Sequence, residues 1–508
     1  MVAFLITAAL VGLHFFFLFH AGGFWRDEVN VINLAGSSSL AGMARDSFPI
    51  LMPLLIHGWS VVGLAGSDLN LRLLGVLIGL GLAAALWLAA WTIRRAPPCL
   101  SLTLLGLNGT VIFWGDSLRA YGLGSLLIVL ALAAMGFLLQ KPSWGCAGIL
   151  AVAAALSVQA LYHNVIFFAG ICLGGWLVCW LRKDKSAALK IFTAALVAAL
   201  SLLPYLGFVW KWQHATAGIR PGFSMVAALG NLNTLLAFPL PQYVWIWALL
   251  GLFVIGLAGA VFFRPPPPTD RPGDRMTPAE LRVFAGAILF SSLAGYFVFL
   301  DYAALITSPW YFLPLLALAA ICFDLGLPLS LLPRLARTIV WGILIGTIGL
   351  AIPFAIRDLN CRFTNVDLVA HRLMKEISPQ DYVVVTPWYL GITFARYYQG
   401  AAVWDTLPPM ADHATHRFDL AQTATANANA SRSVLDHIAG TLQSGHRVWI
   451  LGWMRVPLPG RTATTPEGRF LTEHSRSFEP VDLKIKGQTS DYEDVSLLLA
   501  SGWQTNSP

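Results

Sequence analysis

Eleven apolar runs, each long enough to cross a hydrocarbon core, constrain this chain more than any other feature. They fall near residues 3–23, 72–92, 98–115, 119–139, 145–161, 165–181, 187–208, 243–263, 283–301, 310–328 and 338–356. A bilayer holds no water to satisfy peptide groups, so such runs fold as helices whose backbone bonds close within the segment. The expected fold is an α-helical polytopic membrane protein of about eleven transmembrane helices. Only 12% of the 508 residues are charged, against roughly a quarter in soluble domains, and that excludes the ordinary soluble classes. The first run has no charged leading region and continues into Phe24-Trp25 rather than into small residues. It reads as a retained helix and not a cleaved signal.

The charges between the runs alternate. Loops on one side carry thirteen Lys or Arg residues, among them Arg94, Arg95, Lys141, Arg182, Lys183 and Arg282. Loops on the other side carry six: Arg26, Arg45, Arg72, Arg119, Lys211 and Arg220. Cytoplasmic loops hold the cationic excess, so the N-terminus and the first set are expected in the cytoplasm. Arg264-Pro265-Pro266-Pro267-Pro268 then reads as a stiff cytoplasmic linker. The net charge is +7, and its positive excess belongs to residues 1–356, with 19 basic against 11 acidic side chains, where it reports topology and gives no reason to expect nucleic acid as a partner.

Residues 357–508 differ in character, with 14 basic against 15 acidic side chains. Val383-Val384-Val385 and Val448-Trp449-Ile450-Leu451 read as buried strands, and Gly391–Tyr398 and Leu435–Leu442 as helices. The expected organisation is a membrane domain over 1–356 and a small α/β domain over 357–508, outside the cytoplasm by the alternation of helices. The segment Leu407–Phe418 of that domain, with His413 and His416, reads as solvated loop, with contact to a ligand as the alternative. The six cysteines read as small hydrophobes, since they show neither a disulfide framework nor a zinc spacing.

With topology assigned, polar residues cluster on the outer side. Asp27 and Glu28 follow the first run, in a loop of roughly residues 24–71 whose segments Val29–Leu40 and Ile50–Leu64 are apolar enough to lie along the bilayer surface. Asp116 and Arg119, with Tyr121, form the turn between the third and fourth runs, and His163 the turn between the fifth and sixth. Lys211 and Arg220 follow the seventh. Ionisable side chains are costly beside a membrane, so their concentration at one mouth points to a site there. Carboxylates supply a general base, and Arg forks onto phosphate oxygens while keeping its charge. A transporter would instead place charges at broken helices near mid-membrane, whereas these spans read as uninterrupted.

The succession of motifs over residues 20–320 resembles the bacterial family 39 glycosyltransferases of the GT-C superfamily, related to protein O-mannosyltransferases and the lipid A aminoarabinose transferase. The resemblance rests on the acidic pair after the first helix, Phe48-Pro49-Ile50, Leu69-Asn70-Leu71-Arg72-Leu73, Arg119-Ala120-Tyr121-Gly122-Leu123, Leu161-Tyr162-His163 and Trp310-Tyr311-Phe312-Leu313-Pro314. Three positions depart from the family pattern. Phe48 stands where His is frequent, Trp310 where Arg precedes the tyrosine, and Asp116 lies three rather than two residues before Arg119.

The resemblance implies an inverting transfer from a polyprenyl-phosphate sugar to an acceptor hydroxyl on the outer face of a bacterial inner membrane. Asp27 would be the base, with Glu28 and Asp116 as further acidic members. Arg119, Tyr121, His163, Lys211, Arg220 and Tyr311 would bind substrate. The acceptor would be a lipid, a glycan or a protein. The resemblance fixes no cofactor, and a divalent cation stays open, because no compact ligand set decides it. A polyprenyl-phosphate or lipid transporter and a non-catalytic envelope scaffold are the alternatives weighed against this reading.

Overall fold

The computed structural model describes residues 1–45, 48–207, 222–263, 275–327, 333–427, 429–452, 466–483 and 488–504. The chain divides into two compact units. One holds Met1–Phe19 and Ser39–Leu359, the other His20–Ser38 and Asn360–Pro508. Sequence reading put the whole N-terminal part in the membrane half; the short segment bearing Asp27 and Glu28 instead folds with the C-terminal part.

The first unit is helical. Among the described residues, nine helices are long and apolar enough to span a membrane, and the chain is a multi-pass membrane protein. Of the eleven runs, the 145–161 stretch forms a slightly shorter helix, Trp144–Ala160. The 98–115 stretch is broken. It comprises a helical turn at Cys99–Ser101, a π-helical stretch at Leu102–Gly106 and a separate helix, Gly109–Gly115. The expectation of uninterrupted spans fails here for a local reason. Asn108 turns its carboxamide oxygen onto the backbone N–H groups of Thr110 and Val111, starting a new helix, and its Nδ2 donates to the carbonyl of Leu235.

Ala120–Gln140 and Pro309–Gly326 are the most buried spans, whereas Tyr243–Val261 and Arg337–Leu359 leave most of their apolar surface exposed, as helices facing lipid must. Close approach depends on small residues. A Cβ at Gly122 would run into the carbonyl of Gly115, so the short helix Gly109–Gly115 and the helix Ala120–Gln140 pack backbone to backbone. Asp324, inside a span, is satisfied there. Its carboxylate accepts from the N–H groups of Leu100 and Ser101 and from the Ser101 hydroxyl, capping the Cys99–Ser101 turn.

The second unit is built on a five-stranded sheet in the order β3-β2-β4-β7-β5, with β2 Tyr382–Thr386, β3 Val403–Thr406, β4 Val448–Gly452, β5 Ser475–Pro480 and β7 Leu497–Trp503. The strands β2, β3 and β4 run parallel, and β7 is antiparallel to both β4 and β5. A separate parallel pair joins β1 (Cys361–Arg362) to β6 (Gln488–Thr489). Strand alternation divides the core in two. Val383, Val385, Trp449 and Leu451 pack against the helices Val366–Glu376 and Leu390–Tyr397. Tyr382, Val384, Val448 and Ile450 pack against the helix Arg432–Gln443. The helix Arg26–Ala35 also belongs here. Its residues Val29, Val31 and Leu34 are buried.

Candidate functional site

The candidate residues fall into two clusters, one in each unit.

In the second unit, Asp27 opens the helix Arg26–Ala35, and residues distant in sequence hold it. The N–H of Arg26 donates to Glu493 Oε1 at 2.9 Å, so a carboxylate caps the helix start from 467 residues away. The Arg26 guanidinium donates to the carbonyl of Tyr492 at 3.0 Å and lies 4.6 Å from the centre of the Tyr389 ring. Glu493 is fully buried and also accepts from the Thr393 hydroxyl. Burial pushes its carboxyl up to about 7, against the pull of Arg26.

His416 Nε2 stands 3.1 Å from Asp27 Oδ1. The His416 backbone N–H donates to Asn30 Oδ1 at 2.9 Å, and Asn33 Nδ2 donates to the carbonyl of Ala414 at 2.7 Å. Asp27, Asn30 and Asn33 are spaced by three along one helix face, so the loop Ala414–His416 is strapped along that face. The imidazole is stacked on Phe418 at 5.6 Å with 19° between planes, with Trp388 edge-on. The expectation that His413 and His416 are solvated loop residues is corrected here. His416 is a partner of Asp27, and His413 packs on the Trp404 ring at 4.5 Å. Within the acidic pair the two side chains differ. Asp27 keeps 22% of its side-chain surface exposed, whereas Glu28 is at 0%.

In the first unit, Asp116 ends the helix Gly109–Gly115 and is fully buried. Its Oδ2 lies 2.6 Å from Nδ1 of His14, itself buried in the helix Val2–His20. Glycine makes the fit, since a Cβ at Gly75 would run into the Asp116 carbonyl and one at Gly79 into Asp116 Oδ1. The Ser117 hydroxyl donates to the carbonyl of Trp114, closing the turn. Asp116, expected as a catalytic carboxylate, thus faces the packed interior of the helical unit and fixes the turn that leads into Arg119.

Arg119 precedes the helix Ala120–Gln140 and is buried. Its guanidinium carbon lies 4.5 Å from the centre of the Phe48 ring. Phe48 meets Tyr121 edge-on at 5.4 Å, and Tyr121 lies 5.5 Å from Tyr311 and 6.3 Å from Trp310. Trp310 packs on Trp114 at 4.1 Å. Two of the three departures from the family pattern, Phe48 and Trp310, therefore land against the residues that the pattern singled out. Where the pattern has polar side chains, this chain surrounds Arg119 and Tyr121 with rings. The Tyr296 hydroxyl donates to the Tyr311 carbonyl at 2.8 Å. His163 packs 5.5 Å from Tyr296, and burial pushes its imidazole down to about 3, so it stays neutral. Lys211 and Arg220 lie outside the described residues, as does the Pro265–Pro268 segment. Among the described residues, no three His, Cys, Asp or Glu side chains group as metal ligands would.

This fold has counterparts among solved structures. The solved structures it is like include ArnT from Cupriavidus metallidurans, both bound to undecaprenyl phosphate and in the apo state. Each covers 97% of this chain and 97% of its own, at 12% identity and TM-scores of 0.55 and 0.52. The Archaeoglobus fulgidus oligosaccharyltransferase in complex with Zn and sulfate covers 89% of this chain and 68% of its own, at 10% identity and a TM-score of 0.50. No protein-family model matches the sequence, and no curated protein sequence matches it.

Proposed function

We propose that this protein transfers a sugar from a polyprenyl phosphate to an acceptor hydroxyl, with inversion, at the outer face of a bacterial inner membrane. The N-terminus is then cytoplasmic and the second unit periplasmic. The observation that carries the reading is the state of Asp27, a partly exposed carboxylate fixed by His416 on a helix whose start is capped by Glu493. The full-length likeness to a structure bound to undecaprenyl phosphate supports the donor class.

In the reaction the acceptor oxygen attacks the anomeric carbon, and Asp27 takes its proton as the bond forms. The bond from that carbon to the phosphate oxygen breaks, and the electron pair leaves with the polyprenyl phosphate. Its new charge calls for a fixed cation, the role of Arg119, with Lys211 and Arg220 as further phosphate partners. Phosphate is a good leaving group, so no separate acid is needed. Tyr121 and Tyr311 line the donor headgroup, and neutral His163 offers a hydrogen bond without adding charge. Glu28, buried, supports Asp27 rather than meeting the acceptor.

A transporter would use the broken helix at Asn108 or the intramembrane Asp324. Both are engaged by neighbouring backbone groups, which speaks against that use. Purified protein in lipid nanodiscs, given radiolabelled undecaprenyl-phosphate pentoses and hexoses with envelope lipid extract, tests the reading. Turnover should fall about a thousandfold in Asp27→Asn, while undecaprenyl phosphate still binds. Full turnover in that variant refutes Asp27 as the base. Sugar-independent lipid movement in liposomes would favour transport.

A further inference from the structure

At the ends of the helices Asp68–Arg94 and Ala120–Gln140 away from Arg119, a groove of about 870 Å³ runs between these two helices and Trp144–Ala160. Its walls are apolar, with Leu88, Leu130, Phe137 and Ile149 among them, and alanines and glycines such as Ala134 and Gly148 keep it open. Two cations, Arg95 and Lys141, line the same groove, each directly following the last residue of its helix. Trp91 stands beside them, half-exposed at 53%. Gln140 donates to the Thr92 carbonyl at 2.9 Å and ties the two helices together at this end.

These features share one length scale. The apolar lining on the helix Ala120–Gln140 runs from Leu127 to Phe137. Ten residues at helical rise span about 15 Å, half of a hydrocarbon core of about 30 Å. The groove is therefore as deep as one leaflet, with cations where headgroup phosphates lie and an indole at the depth that indoles favour. Helix-end cations alone are ordinary in membrane proteins. What sets this place apart is that both line a cleft that can take acyl chains.

We infer that the groove holds one anionic glycerophospholipid, with its acyl chains along the apolar walls and its phosphate between Arg95 and Lys141. Such a lipid fills a cleft that would otherwise lack packing partners between three helices. The inference stands apart from the transferase reading, because it concerns the opposite end of these helices.

The test uses the full chain purified into mixed micelles holding equal phosphatidylglycerol and phosphatidylcholine with matched chains. Native mass spectrometry counts the lipid that stays bound. The wild type should retain one phosphatidylglycerol, preferred on the order of thirtyfold for two cations. Arg95→Gln with Lys141→Gln should bring the two lipids to parity. A Cβ at Gly148 meets nothing within 4 Å, so Gly148→Trp fills the groove with both charges left in place. That variant, and the smaller Gly148→Leu in graded fashion, should lose the bound lipid. No preference in the wild type, or unchanged phosphatidylglycerol retention in both Gly148 variants, overturns the proposal; the second result would mean that surface charge alone attracts the lipid.

Discussion

Two acid–arginine motifs stand out in this sequence, and the structure uses them in opposite ways. In Arg26-Asp27 the arginine is the structural member. It is engaged by Glu493, the Tyr492 carbonyl and the Tyr389 ring, while the acid beside it keeps solvent access and a histidine partner. In Asp116-Ser117-Leu118-Arg119 the acid is the enclosed member. It is buried against His14 and two glycines, while the arginine lies among the rings of Phe48 and Tyr121. The residue types are the same, yet burial and partners differ, and on the proposed function they decide which member is left for chemistry. An acid and an arginine close in sequence are thus not a unit; one can hold the backbone so that the other can act.

After Asp27 itself, the largest effect expected from breaking this contrast is at Arg119. Arg119→Lys keeps the charge but loses the planar fork and its stacking on Phe48, and turnover should fall on the order of a hundredfold with melting little changed. A rate within twofold of wild type would remove Arg119 from phosphate binding.

A smaller effect is expected at His416, which acts through Asp27 and is a positioning residue. His416→Ala should lower kcat about tenfold and shift its pH profile, with KM for the donor little affected. His416→Asn, which can still donate to the carboxylate, should recover part of the loss. A loss in His416→Ala that His416→Asn does not relieve, with an unmoved pH profile, would assign the residue to packing only.

The smallest effect concerns Glu493. Its carboxyl is pushed from 4.5 to about 7 by burial, so the folded state holds a proton that the unfolded state has released. Its contribution to stability is full below about 4.5 and is lost as pH rises through about 7. Melting of the full chain in detergent should therefore drop between pH 5 and 8 by more in the wild type than in Glu493→Gln. Equal slopes would contradict this role.

Much of this was legible in sequence, for identifiable reasons. Apolar runs of spanning length reported helices, and short continuous apolar runs reported β2 and β4, since both signals are local. The roles within the clusters were not legible, because they come from contacts over 102 residues for His14 and Asp116, 389 for His416 and Asp27, and 467 for Glu493 and Arg26. Two signals were present all the same. A histidine inside an apolar span is costly without a partner, so His14 announced a buried acid. The spacing of Asp27, Asn30 and Asn33 announced a helix face that meets polar groups. The break at Asn108 was masked by the apolar residues on both sides, which read as one span.

The contrast between the two acids is tested most directly by measuring turnover and thermal unfolding side by side for Asp27→Asn and Asp116→Asn, with undecaprenyl-phosphate sugars as donors. Asp27→Asn should melt like the wild type and turn over about a thousandfold more slowly. Asp116→Asn should unfold at a lower temperature, because His14 loses its buried carboxyl hydrogen-bond partner, while its folded fraction keeps most of its turnover. Normal turnover in Asp27→Asn, or an Asp116→Asn protein that melts like the wild type yet is equally inactive, would contradict the account.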